Sequence, residues 1–164
     1  MPQININNKM KRLLIIVLTI LSVGLAETAD AQCKEQLVYQ CAPSDGKATF
    51  GRAYNTKLRR ENATEETGQR YAQVLNKGTR YRFNICAPEP YENQVVLTLF
   101  DSTHPEHSNP IGSTFDKNSG KDLPSFDFVC NKTAMYYISV RYKPGMGDKK
   151  GCAVGIVSYI VNKK

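Results

Sequence analysis

Tryptophan is absent, and only two histidines, His104 and His107, occur among 164 residues. The lack of Trp removes the broadest aromatic platform for stacking a sugar ring. The scarcity of His means that any Ser-His or Cys-His nucleophile must use one of those two residues. No Gly-x-Ser-x-Gly elbow occurs, and none of the five cysteines stands in a Cys-x-x-Cys. The α/β-hydrolase, thioredoxin-like and zinc-ribbon readings therefore lack their motifs. No amphipathic helical stripe of useful length and no internal repeat is found. The apolar run Leu13–Leu25 has 13 residues. As a helix it reaches about 20 Å, short of the ~30 Å of a bilayer core, so no stable membrane span is expected.

That run has a different use. Lys9, Lys11 and Arg12 precede it and Ala29-Asp30-Ala31 follows it. A basic n-region, a short apolar h-region and a small-x-small site make a secretory signal peptide. Residues 1–31 are expected to be cleaved, leaving residues 32–164 as one domain in the periplasm or outside the cell. Cys33 follows Asp30-Ala31-Gln32, which is not the apolar, small-residue approach of a lipidated cysteine. The mature part holds 19 basic and 13 acidic residues, a net charge of +6. Its length suits a single core and is short for a doubly wound cofactor-binding enzyme, and no cofactor is expected.

All five cysteines (Cys33, Cys41, Cys86, Cys130, Cys152) lie in that part. An oxidising compartment favours their pairing. Cys33–Cys41 is expected because the two are close in sequence. Cys86–Cys130 is expected because both end alternating strands. Cys152 is then left over.

The dominant apolar period is two. Tyr81, Phe83 and Ile85 alternate with polar residues, as do Phe126 and Phe128. Tyr136, Ile138, Val140 and Tyr142 share one face of Ala134–Tyr142. Half-buried strands have this pattern. Asn93–Phe100 is nearly all apolar after its first two residues, as in a strand covered on both faces, and Gly151–Val161 is a long last strand. Weaker strand candidates are 36–40, 48–55, 71–75 and 111–115. Turn-formers separate them: Ala42–Gly46, Lys117–Gly120, Pro144–Asp148, and Asn76-Lys77-Gly78-Thr79, read as a hairpin connection. The polar stretch 57–68 reads as an exposed loop. About eight or nine short strands predict an all-β, antiparallel β-sandwich, Ig-like or jelly-roll-like, stapled by disulfides.

The segment from Gly78 through Tyr81 and Phe83 to the apolar strand ending at Asp101, with Tyr136–Val140 near the end, resembles the small secreted β-sandwiches of the bacterial pre-peptidase C-terminal type. The resemblance covers about half of the mature chain. It implies a non-catalytic accessory or binding module and transfers no catalytic residue. Two features depart from that pattern: no peptidase domain is attached, and cysteines stand at strand ends.

Candidate chemistry concentrates in Asp101–His107. His104 and His107, with carboxylates beside them, could ligate Zn²⁺ or Cu²⁺. Pro105 biases His104 to an extended backbone, against a helical pairing of the two rings. Asp127, between Phe126 and Phe128, must point away from those rings and reads as a solvated carboxylate. Tyr91, close to Pro88 and Pro90 in a loop, reads as an exposed ring able to meet a glycan. Basic residues gather at Lys57, Arg59 and Arg60, at Lys143, Lys149 and Lys150, and at Lys163-Lys164. They read as solvated loops that favour anionic partners. Nucleic acid is not expected, for want of an aromatic-basic sheet signature. The expectation is thus an exported non-catalytic binding or structural module for an envelope protein or anionic glycan. The alternative is a small metal-dependent or carboxylate hydrolase centred on Asp101–His107. An inhibitor or immunity-type blocker also suits a small disulfide-stapled domain, without a motif to support it.

Overall fold

The computed structural model describes residues 33, 35–43, 46–59, 68–101, 110–146 and 150–160. The expected leader, residues 1–31, lies outside them. Among the described residues one short helix, α1 (Glu35–Cys41), precedes ten strands. The main ones are β1 (Ala48–Arg59), β2 (Gly68–Leu75), β3 (Arg80–Cys86), β4 (Val95–Phe100), β8 (Phe126–Val129), β9 (Ala134–Tyr142) and β10 (Lys150–Ile160). The others are two-residue strands: β5 (Gly112–Ser113), β6 (Phe115–Asp116) and β7 (Lys121–Asp122). They form two antiparallel four-stranded sheets, ordered β1-β10-β3-β8 and β2-β9-β4-β5, and a β6-β7 ribbon. The antiparallel β-sandwich expected from the period of two is the fold that forms.

The main strands alternate between the sheets in chain order, β1 to β4 and again β8 to β10. This corrects the reading of Asn76–Thr79 as a hairpin. The residues do make a turn: Thr79 N–H donates to Asn76 O at 3.2 Å, and Gly78 supplies φ +82°. That φ lies in the left-handed region where glycine has no Cβ clash. But the turn carries the chain from β2 in one sheet to β3 in the other. Turn chemistry sets the reversal and says nothing of which strand pairs with which.

Apolar alternation fills the space between the sheets. Tyr81, Phe83, Leu97, Leu99, Ile138 and Val140 are buried there. Gly155 of β10 faces them; a Cβ on it would lie 2.9 Å from Leu97 Cδ1, so the layers approach closely at this point. The β1/β2 edge is closed by tyrosines. Tyr54 and Tyr71 pack at 4.6 Å between centroids, and the Tyr54 hydroxyl donates to Gln73 Oε1 at 2.6 Å. At the opposite edge Phe126 stacks on Phe83 at 5.0 Å. β4 is buried along its whole length, as its unbroken apolar run predicts.

Two further sequence readings change. Residues 36–40, a weak strand candidate by sequence, lie within α1. Strand β1 continues through Lys57, Leu58 and Arg59, which the polar composition assigned to a loop, and Leu58 is buried. One apolar residue between two cations keeps the alternation going.

The cysteine pairing differs from the expected one. Cys33 is bonded to Cys152 and Cys41 to Cys86, and Cys130 is free and buried. The physical reasons are distances along regular elements. Cys130 N–H donates to Thr79 O at the start of β3, while Cys86 ends that strand seven residues later. At about 3.3 Å per residue they stand ~23 Å apart, far beyond the ~7 Å Cα limit of a bridge. Cys33 precedes α1 and Cys41 is its last residue, so the helical turns between them hold the two apart. Both bonds instead fasten α1 to the outer face of the first sheet. There Leu37, Val38 and Cys41 pack on Val154 and Ile156 of β10.

Candidate functional site

A pocket of about 350 Å³ opens at the end of the sandwich where β4 and β8 finish and β9 begins. Phe128 and Tyr136 give it an aromatic lining, edge to face at 5.5 Å between centroids. Asp101, Asn131 and Lys132 bring polar groups, and Ile111, Ala134 and Met135 complete the wall. The alternation of β9 decides which residues arrive. Tyr136 is on the buried face, while Met135 points to the outside beside its cross-strand partner Val74. Met135 is 46% exposed, Val74 48% and Ile111 38%, so an apolar lip adjoins the opening.

The wall is held firmly. Gly78 N–H donates to Cys130 O at 2.7 Å and Lys77 N–H to Thr133 Oγ1 at 2.8 Å, tying the 76–79 turn to the β8–β9 loop. The Tyr136 hydroxyl donates to Lys132 O at 3.1 Å. The Cys130 thiol donates to the same carbonyl at 3.1 Å. Burial first, then Cys130 and Asp101, push the Tyr136 phenol above its ordinary value, so it stays a neutral donor. Among the described lining residues Asp101 is the one carboxylate.

The sequence-derived candidates are placed as follows. Asp101, first residue of the candidate hydrolase loop, lines the pocket, whereas His104 and His107 lie outside the described residues. Among the described residues no group of three or more His, Cys, Asp or Glu side chains could hold a metal ion. Asp127 points away from the core, as its neighbours require, and is bracketed by arginines. Arg82 Nε donates to its Oδ1 at 2.8 Å, and Arg80 Nη2 to its Oδ2 at 3.1 Å. These contacts, the Arg82 hydrogen bond first, hold its carboxyl below the ordinary value.

Tyr91 is not the free ring expected. It packs against Tyr142 at 6.3 Å, and its hydroxyl donates to Lys150 O at 3.0 Å. Lys143 is not a solvated cation either. It is 5% exposed, with Nζ donating to Asn93 O at 2.7 Å and to Asp122 Oδ2 at 2.7 Å, over the Phe115 ring. A charge run in sequence does not reveal that one member turns inward to a carboxylate 21 residues earlier. The pocket itself was missed because its residues come from four separate segments; strand ends with adjoining turns were the available signal.

No protein-family model matches the chain, and no curated protein matches it. The fold is similar to that of a solved structure. The crystal structure of Aeromonas hydrophila PliG, a periplasmic lysozyme inhibitor of g-type lysozyme, aligns with a TM-score of 0.50 at 12% identity. The match covers 68% of this chain and 87% of that one. At this identity the likeness concerns the arrangement of strands. Among the described residues no helix is long and apolar enough to cross a membrane.

Proposed function

We propose that this chain is an extracytoplasmic, non-catalytic binding module that docks a protein at the pocket end of the sandwich. The carrying observation is the pocket lined by Phe128 and Tyr136 with the exposed apolar lip of Val74, Met135 and Ile111, all on hydrogen-bonded strand ends. A concave aromatic pocket beside exposed apolar residues suits one anchoring side chain from a partner, the arrangement of interface hot spots. The leader-like N-terminus, the two disulfides and the pre-peptidase-like strand pattern support a site outside the cytoplasm. The fold shared with a periplasmic lysozyme inhibitor makes a lysozyme, g-type first, the partner to test.

The purified protein is titrated into g-type lysozyme acting on peptidoglycan. Stoichiometric loss of lytic activity is expected, and at least tenfold weaker inhibition by Met135→Asp, whose charge would be desolvated on docking. If g-type lysozyme is unaffected, affinity capture from an envelope extract with parent and Met135→Asp protein decides the broader reading. No protein retained by the parent and released by the variant would overturn it.

A further inference from the structure

Two basic stretches about ninety residues apart meet at the opposite end of the molecule. The β1–β10 register sets Arg59 directly opposite Lys150 and Lys57 opposite Cys152. Directly paired residues share a face of the sheet. Cys152 is on the outer face, since Ala153 and Val157 point into the sandwich core and Val154 and Ile156 pack with α1. The three cations therefore stand together on that outer face, and all are exposed. Among the described residues none of them is ion-paired to a carboxylate. Directly paired Cβ atoms lie about 5 Å apart and diagonal ones about 7–8 Å. Three positive charges thus crowd one patch. Like charges placed opposite each other destabilise a sheet. Among the described residues no carboxylate offsets that cost, and an anion from solution placed between the three cations does so. Beside Lys57 lies a cleft of about 160 Å³, lined by Cys33, Asn55, Thr56 and Lys57. The Cys33–Cys152 bond pins one wall of it to β10.

We propose that this corner is a binding site for a phosphate-type anion, with Lys57, Arg59 and Lys150 as its binding residues. A carboxylate neutralises one charge; a phosphate or pyrophosphate group brings two or more to one centre and matches three clustered cations. The Arg59 fork suits two phosphate oxygens at once, and the lysines act as point charges. Outside the cytoplasm such a group comes free in solution or on a lipid headgroup, and the recognising chemistry is the same. The site is independent of the pocket at the other end and of its partner.

Pyrophosphate titrated into ¹⁵N-labelled protein, with backbone amides followed by NMR, tests this. Saturable shifts at residues 57–59 and 150–152 are expected. They should be at least tenfold weaker in affinity for Lys150→Glu and unchanged for Lys121→Glu, an exposed lysine of the β6-β7 ribbon. Shifts scattered over many lysines, or undiminished in Lys150→Glu, would overturn the proposal. Polyglutamate at matched charge is the control for an acidic protein surface, and equal affinity for it would overturn the phosphate assignment. Vesicles of phosphatidylcholine with phosphatidic acid distinguish the source. Cosedimentation lost in Lys150→Glu assigns a lipid phosphate, and pyrophosphate binding without cosedimentation assigns a soluble one. If Lys150→Glu fails to fold, Arg59→Gln carries the same comparison.

Discussion

Lys143 and Asp122 show how one residue's surroundings set the cost of changing it. The ammonium is buried and the carboxylate is 46% exposed. Removing the carboxylate strands a buried charge, while removing the lysine leaves an acid that water can solvate. Asp122→Asn is therefore expected to cost about 3 kcal/mol and Lys143→Met about 1 kcal/mol, the order being the point; urea denaturation of the two variants measures it. Asp127 gives the acid-side prediction. Its folded-state carboxyl titrates below the ordinary 3.8, so the ionised form is favoured by folding. Its stabilisation is present above that value and is lost as pH falls through and below it. Asp127→Asn should flatten the loss of stability below about pH 4 in thermal melts across pH. An unchanged acid limb in the variant would show that the Arg80–Asp127–Arg82 contacts do not contribute.

At the scale of elements, α1 has little means of holding itself in place. Seven residues are too few for a helix to persist alone, and its contact with the sheet rests on a small cluster of Leu37, Val38, Cys41, Val154 and Ile156. Both disulfides end on this segment, closing separations of 119 and 45 residues. In the chain-entropy model the Cys41–Cys86 link contributes about 4 kcal/mol. Replacing both residues by Ser should lower stability by that order in denaturant titration and raise amide exchange in α1. A non-reducing peptide map should return Cys33–Cys152 and Cys41–Cys86 with Cys130 as the free thiol. Recovery of Cys86–Cys130 would require β3 and β8 to pair in another register. The elements also show what a turn can and cannot say. Asn76-Lys77-Gly78-Thr79 is readable as a reversal because Gly78 accommodates positive φ. Whether the flanking strands then pair or part is set by the faces they bury, not by those four residues.

For the whole molecule, the strands put an apolar pocket at one end and a cationic corner at the other. The two ends make opposite predictions under mutation. Lys150→Glu replaces a like-charge pair with an opposite-charge one facing Arg59, and is expected to gain about 0.5 kcal/mol while weakening anion binding at least tenfold. Differential scanning calorimetry reads the first effect and the titration above the second. A fall in melting temperature would mean that Lys150 has a structural partner. At the pocket end, Met135→Asp on an exposed lip should leave the melting temperature nearly unchanged while weakening partner binding. Surface substitutions away from buried features usually stay within ±0.5 kcal/mol.

The period-two alternation of Tyr81–Ile85, Phe126–Phe128 and Tyr136–Tyr142 determined by itself that the chain is all-β, antiparallel and layered. Side-chain direction along a strand is a local property, and burying one face of several strands leaves few architectures. The turns at Asn76–Thr79 and Lys117–Gly120 were legible for the same reason, since φ preferences belong to single residues. Partnership was decided by tertiary structure alone. Which cysteines bond, that Lys143 turns inward, that Asp101 meets Tyr136 and that Arg59 faces Lys150 all depend on strand order and register. Those are set by the joint packing of every buried face, and no segment carries that information alone.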